Sequence, residues 1–311
     1  VNWSGGTVTI VDPAAALTTT ATVNIITGGQ KNIRGGTLQI GDGISGSGSG
    51  PVNNSTGFLL NITAPIWNLV INARTDISNT RICRLGAGPN LIYNNVTVNA
   101  NSYLMLGSAG ASGTLALYGD LTNNGIISGV EPNSTGVTGV LQFIDSTGTQ
   151  TVSGTGTFPN ILQITLAPAL SFNSSSNNVI FNQTNNIVVN NVVLSTGTLT
   201  HNGKLVIGRP GSLPLVQLGG FGQTVAPGRF ASVPTFDNTS YATQYNYLTC
   251  STPYVLGASN EISANTNTLF ALTVASHKGL TIDRNLTLVA GLTMTLGNLS
   301  IGNNNFTRNI K

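Results

Sequence analysis

Across its 311 residues the chain carries twelve Lys and Arg against nine Asp and Glu, a net charge of +3, and only 7% of residues are charged, where an average soluble domain has roughly 25%. No apolar run approaches the roughly 20 residues of a spanning helix, and long alternating strands with aromatic girdles are missing, which argues against membrane insertion. Cations so few and scattered argue against nucleic acid as a partner, leaving an extracellular β protein surfaced with hydroxyls and amides.

The first fifty residues read as short strands at 7–11, 21–26 and 37–40, followed by a Gly/Ser run at 41–50 expected to project as a loop. Strands resume at 58–62 and 67–71. Trp67 reads either as core, the commoner fate of a Trp in an apolar strand, or as a binding aromatic. The densest cations follow, Arg74, Arg81 and Arg84, with Asp76 among them. From 94 to 129 a repeat is plain: Val96 and Val98 share a face, as do Leu115 and Leu117, because residues i and i+2 of a strand point the same way. Residues 148–166 give strand, glycine corner, strand. Residues 177–208 repeat the pattern with asparagines at the corners, where stacked amides can hydrogen-bond along a solenoid.

Residues 209–263 break the rhythm. They hold five of the twelve prolines and four of the seven tyrosines, Tyr241, Tyr245, Tyr247 and Tyr254. The segment is expected to be an irregular insertion on the same solenoid, an elaborated loop or a few longer strands. Its Tyr, Asn and Ser suit a contact surface. The alternative is that the rings only cover the flank.

The repeat returns at 264–311 and is clearest at 279–307, where a Gly or Asn is followed by apolar, Thr or Ser, then usually apolar. Examples are Leu280-Thr281-Ile282, Leu286-Thr287-Leu288 and Leu292-Thr293-Met294. Each unit buries two side chains and shows one hydroxyl, and Gly or Asn supplies the bend. Three units make about twenty residues, which predicts an all-β, parallel β-helix of roughly a dozen coils, near 60 Å long at about 4.8 Å per coil. Coils are expected over 1–208 and again over 264–311. With no initiating Met and the repeat running to Lys311, the chain is expected to be part of something longer.

Many parallel β-helices act on polysaccharides, a chemistry that makes specific demands on the acids. Glycoside hydrolysis needs two carboxylates about 5 to 10 Å apart, and a lyase needs carboxylates around Ca²⁺ with a basic residue. Asp12, Asp42, Asp76, Asp120, Glu131, Asp145, Asp237, Glu261 and Asp283 are each isolated in sequence. His201 and His277 belong to no Ser-His-Asp order. Cys83 and Cys250 lie far apart, outside any CxxC pattern, and read as buried or free thiols rather than a disulfide or zinc site. Gly41-Asp42-Gly43 is one fragment of a calcium nonapeptide and does not make a site. No catalytic residue, cofactor or metal is therefore expected. The numerous N-x-S/T triplets, such as Asn61, Asn95 and Asn285, follow from composition.

The runs GTLALYGDLTNNGIISG, GTQTVSGTGTFPNILQITL, STGTLTHNGKLVIG and GLTIDRNLTLVAGLTMTLGNLSIGNN resemble the repeat regions of very long bacterial cell-surface proteins exported by the type IX secretion system, including gliding-type adhesins. The resemblance implies a right-handed β-helix at the cell surface, acting as a rigid adhesive or structural module in adhesion, gliding or biofilm. Implied partners are neighbouring modules of the same chain or filament, surface glycans, or outer-membrane secretion and motility components. It carries no functional residue, because the shared positions are corners and core. A polysaccharide-active enzyme or a glycan-binding module is the alternative.

Overall fold

The computed structural model describes residues 2–10, 22–25, 32–43, 58–62, 64–72, 82–108, 111–130, 136–145, 148–167, 177–237 and 243–308. Among these the protein is all-β without an α-helix. Its strands pair in parallel almost throughout, an antiparallel exception being Gly107–Ser108 against Ala111–Leu117. Parallel neighbours cannot be joined by a tight hairpin, so the chain must travel elsewhere before it returns to pair with itself. By contact density the chain forms two compact units: Val1–Gln142 with Gln150–Leu162 and Asn182–Ile187, and Phe143–Thr149 with Gln163–Phe181 and Val188–Lys311.

In the first unit the chain visits three sheets in rotation. Asn68–Ile71, Val96–Val98 and Leu121–Asn123 stack in one. Ile82–Leu85, Tyr103–Met105 and Ile126–Ser128 stack in the second. Gly88–Ile92 pairs with Ala111–Leu117 in the third. Earlier strands extend the first two sheets, Asn2–Ile10 and Asn32–Ile40 in one, Thr22–Ile25 and Phe58–Ile62 in the other. This rotation is compatible with a β-solenoid.

The alternation read from sequence sets which side chains face inward. Leu69, Val96 and Leu121 occupy matched positions in consecutive strands, and all three are fully buried. Removing one such side chain from water contributes about 1.5–3 kcal/mol. Rows of this kind stabilise the stack coil by coil.

The second unit also stacks its strands in parallel, but there the chain moves between one long sheet and one shorter set at a time. Asn178–Phe181, Thr198–Thr200 and Arg229–Phe230 form one parallel set. Ile187–Leu194, Leu215–Leu218, Gln244–Leu248, Thr268–Ala275, Leu286–Leu296 and Phe306–Arg308 form the longest. Tyr254–Val255, Leu280–Thr281 and Leu299–Ser300 make a third. Four of these strands, Leu215–Leu218, Arg229–Phe230, Gln244–Leu248 and Tyr254–Val255, lie within the Pro- and Tyr-rich segment 209–263.

The expected coil of about twenty residues needs correction. Thr198 pairs with Asn178, Leu292 with Leu272 and Phe306 with Leu286, each pair 20 positions apart. Elsewhere the return is longer: 25 positions from Val96 to Leu121, 27 from Leu69 to Val96, 31 from Thr37 to Asn68 and from Thr198 to Arg229. Left-handed glycines turn the chain in short coils, as at Gly279 (φ 77°) and Gly297 (φ 84°), and in long ones, as at Gly203 (φ 73°) and Gly208 (φ 100°). Longer coils carry their extra residues outside the matched positions, so the register of the paired strands survives.

Candidate functional site

The site is built on one recurring corner of the first unit. Three buried aliphatics, Ile66, Ile92 and Leu117, are each followed by an aromatic residue, Trp67, Tyr93 and Tyr118. Backbone bonds bring the three corners together: Tyr93 N–H donates to Ile66 O (2.8 Å), Asn94 N–H to Trp67 O (2.8 Å) and Tyr118 N–H to Ile92 O (3.0 Å). Because the aliphatic points in, its neighbour must point out. The result is a surface row of rings. Trp67 and Tyr93 meet edge-to-face with centroids 6.4 Å apart, and Tyr93 and Tyr118 are tilted at 5.7 Å, both within the range of favourable aromatic pairs. Tyr93 is the most open of the three, 36% exposed.

Amides fix the same edge. Asn94 donates its side-chain N–H to Asn68 Oδ1 at 3.0 Å, which also accepts from the backbone N–H of Asn95. Asn95 Oδ1 in turn accepts from Asp120 N–H, and Asp120 Oδ1 from Thr151 N–H. One carboxylate or amide per coil thus takes a backbone donor from the next, as expected of corner asparagines.

Beside Tyr93 opens a cleft of about 390 Å³ lined by Asn32, Ile33, Arg34, Pro65 and Tyr93. A β-bulge places its cation. Trp3 pairs with Ile33 and Ser4 pairs with Gly35, so Arg34 is the extra residue between two matched pairs. A bulge of this kind re-aims a side chain and breaks the local ladder. Arg34 is exposed, and its Nε donates to Asn32 Oδ1 at 2.7 Å. Trp3 lies over Gly36, where an added Cβ would fall 2.1 Å from its Nε1. Only glycine lets that ring close onto the strand. The cleft therefore joins an aromatic ring and apolar wall to a guanidinium and an amide, the mixture found in ligand pockets.

Three of the four tyrosines expected to form a contact surface do not do so. Tyr241 lies outside the described residues. Tyr245, Tyr247 and Tyr254 are 3%, 0% and 3% exposed, so they are core. Tyr245 and Tyr247 alternate inward along Gln244–Leu248, and the rings of Tyr247 and Tyr254 cross edge-to-face at 5.0 Å. Their hydroxyls are satisfied internally: Tyr247 donates to Glu261 Oε1 (2.9 Å) and Tyr254 to Leu248 O (2.9 Å). Glu261, fully buried, also accepts from Gly257 N–H (2.5 Å) and Ser259 N–H (3.0 Å). Burial pushes its carboxyl above the usual range, and these donors pull the other way without overcoming it. This cluster shapes a turn.

The remaining chemistry-bearing residues are dispersed. His201 is buried; its Nε2 is 2.9 Å from Ser232 O and its Nδ1 accepts from Gly203 N–H, which places the proton on Nε2. His277 is exposed, and Asp283 pairs with its neighbour Arg284 at 2.8 Å. Cys83 and Cys250 are both buried thiols; desolvation pushes Cys83 up to about 12, and Cys250 donates to Thr252 O. Among the described residues no three of His, Cys, Asp and Glu gather as a metal site, and no helix is long and apolar enough to cross a membrane. Asp12, Asp76, Glu131, Arg74 and Arg81 lie outside the described residues.

Sequence reasoning did not single out Arg34, Tyr93 or Tyr118. The signal was an aliphatic–aromatic pair recurring after 26 and 25 positions, which a twenty-residue period misaligns. No protein-family model, curated protein or solved structure matches this chain.

Proposed function

We propose that the protein is a structural and adhesive module of a large secreted bacterial cell-surface protein, a right-handed β-helix that acts as a stiff spacer and presents contact surfaces. The observation that supports this most directly is the parallel self-stacking within each unit, with matched buried rows such as Leu69, Val96 and Leu121. In such a repeat each coil is stabilised mainly by its neighbours, so the unit resists bending without a globular core. The handedness follows the rule for parallel crossover connections. Scarce charge fits the same reading, because backbone hydrogen bonds and apolar rows carry the stability. The role is non-catalytic. The experiment is localisation in the native cell: an antibody raised against the chain should label intact cells, and the label should vanish after brief external proteolysis. A signal found only after lysis overturns the proposal.

The cleft at Arg34 and Tyr93 favours a second, compatible reading, in which the module itself holds a glycan.

A further inference from the structure

We infer that this cleft binds an acidic polysaccharide, one whose sugars carry carboxylates, and that Tyr93 and Arg34 are its principal contacts. The inference rests on the surface-module reading but concerns ligand chemistry alone. A pyranose has an apolar C–H face, a rim of hydroxyls and, in a uronate, one carboxylate. The cleft offers a counterpart to each. Tyr93, Pro65 and Ile33 supply apolar surface, Asn32 an amide, and Arg34 a guanidinium.

Three further observations point the same way. Arg34 is turned out of the ladder by a bulge rather than lying along a strand, and Asn32 holds its Nε at 2.7 Å. That bond orients the guanidinium and leaves its two Nη groups, without a hydrogen-bond partner among the described residues, for a bidentate carboxylate. The rings of Trp67 and Tyr118 then flank Tyr93 at 6.4 and 5.7 Å. Such spacing extends the apolar surface along the stack and suits a chain rather than a single sugar. Finally, the cleft has one cation, and the whole chain has a net charge of only +3. Nucleic-acid binding draws on many phosphate contacts, whereas one guanidinium suffices for a carboxylate spaced along a glycan.

The test uses the whole chain with tetragalacturonate and tetramannuronate, their methyl esters, and a thymidine oligonucleotide, by titration calorimetry. The expected result is binding to at least one uronate, weakened about tenfold or more by esterification and by Arg34→Gln. Tyr93→Ala should weaken binding to acid and ester alike by about tenfold, while Arg229→Gln, at an exposed site in the other unit, changes nothing. Thermal melts of the variants establish that they fold. Binding to neither acid, equal affinity for acid and ester, unchanged affinity in Arg34→Gln, or tighter binding of the oligonucleotide each overturns the inference. None of these outcomes bears on where the protein resides, so the surface assignment stands or falls separately.

Discussion

Gly197 illustrates how single residues decide whether a coil can turn. Its φ is 79°, and a Cβ there would lie 1.6 Å from Asn177 O. Gly211 has nearly the same φ, 76°, but a Cβ added there would meet nothing within 4 Å. Both alanine variants incur the left-handed penalty of about 1–2 kcal/mol, but only Gly197→Ala must also move backbone. Chemical denaturation should show Gly211→Ala destabilised by about 1 kcal/mol and Gly197→Ala by at least twice that. Equal losses would mean that the corner relaxes freely. Glu261 makes a pH-dependent counterpart. Its carboxyl keeps its proton to higher pH in the fold than in the unfolded chain, where the value is 4.5. Its contribution is therefore complete below that value and is lost as pH climbs through the raised folded value. As pH rises above 4.5 the wild type should lose stability relative to Glu261→Gln, read as a narrowing gap in Tm. Parallel profiles would show that the carboxyl is not raised.

At the scale of the strand, the buried rows are the structure's main support. Phe143 and Phe181 meet at 6.5 Å, both without exposure. Phe181→Ala should cost about 3–5 kcal/mol, measured by denaturant midpoint; a loss under 1 kcal/mol would mean that the row repacks around the gap. Strand Leu286–Leu296 behaves differently along its length. Leu286 and Leu288 are buried, while Met294 and Leu296 are 39% and 49% exposed. Residues 291–296 pair with 271–275 on one side, and among the described residues Phe306–Arg308 pairs on the other side with Leu286–Leu288. The strands themselves were legible in sequence: Leu280-Thr281-Ile282 and Leu286-Thr287-Leu288 bury their outer pair and show the Thr, as alternation predicts. The tyrosines were not. Tyr245 and Tyr247 also alternate, so composition suggested a surface where periodicity already placed two side chains on one face. Which face is buried depends on the parallel neighbours, and those are set by return distances that the sequence does not display.

For the molecule as a whole, nearest-neighbour stacking predicts that damage stays local. Hydrogen exchange on Phe181→Ala should show faster exchange in Asn178–Phe181 and Thr198–Thr200, its paired strand, with Tyr254–Val255 and Leu280–Thr281 little changed. Uniform loss of protection would show instead that this unit unfolds as one cooperative block. The candidate cleft was the least legible feature. Its bulge at Arg34 and its ring row at Trp67, Tyr93 and Tyr118 arise from matched positions 25 to 31 residues apart. A fixed period cannot bring those positions together.

That same freedom in return distance has a practical side. A strand finds its partner after 19 residues at Leu280 and Leu299, yet after 31 at Thr198 and Arg229, with matched pairing in both. Foreign peptides of about a dozen residues spliced between paired strands should ride on the surface while the ladder closes beneath them. The fold would then serve as a display scaffold whose cargo can be exchanged without redesigning its interior.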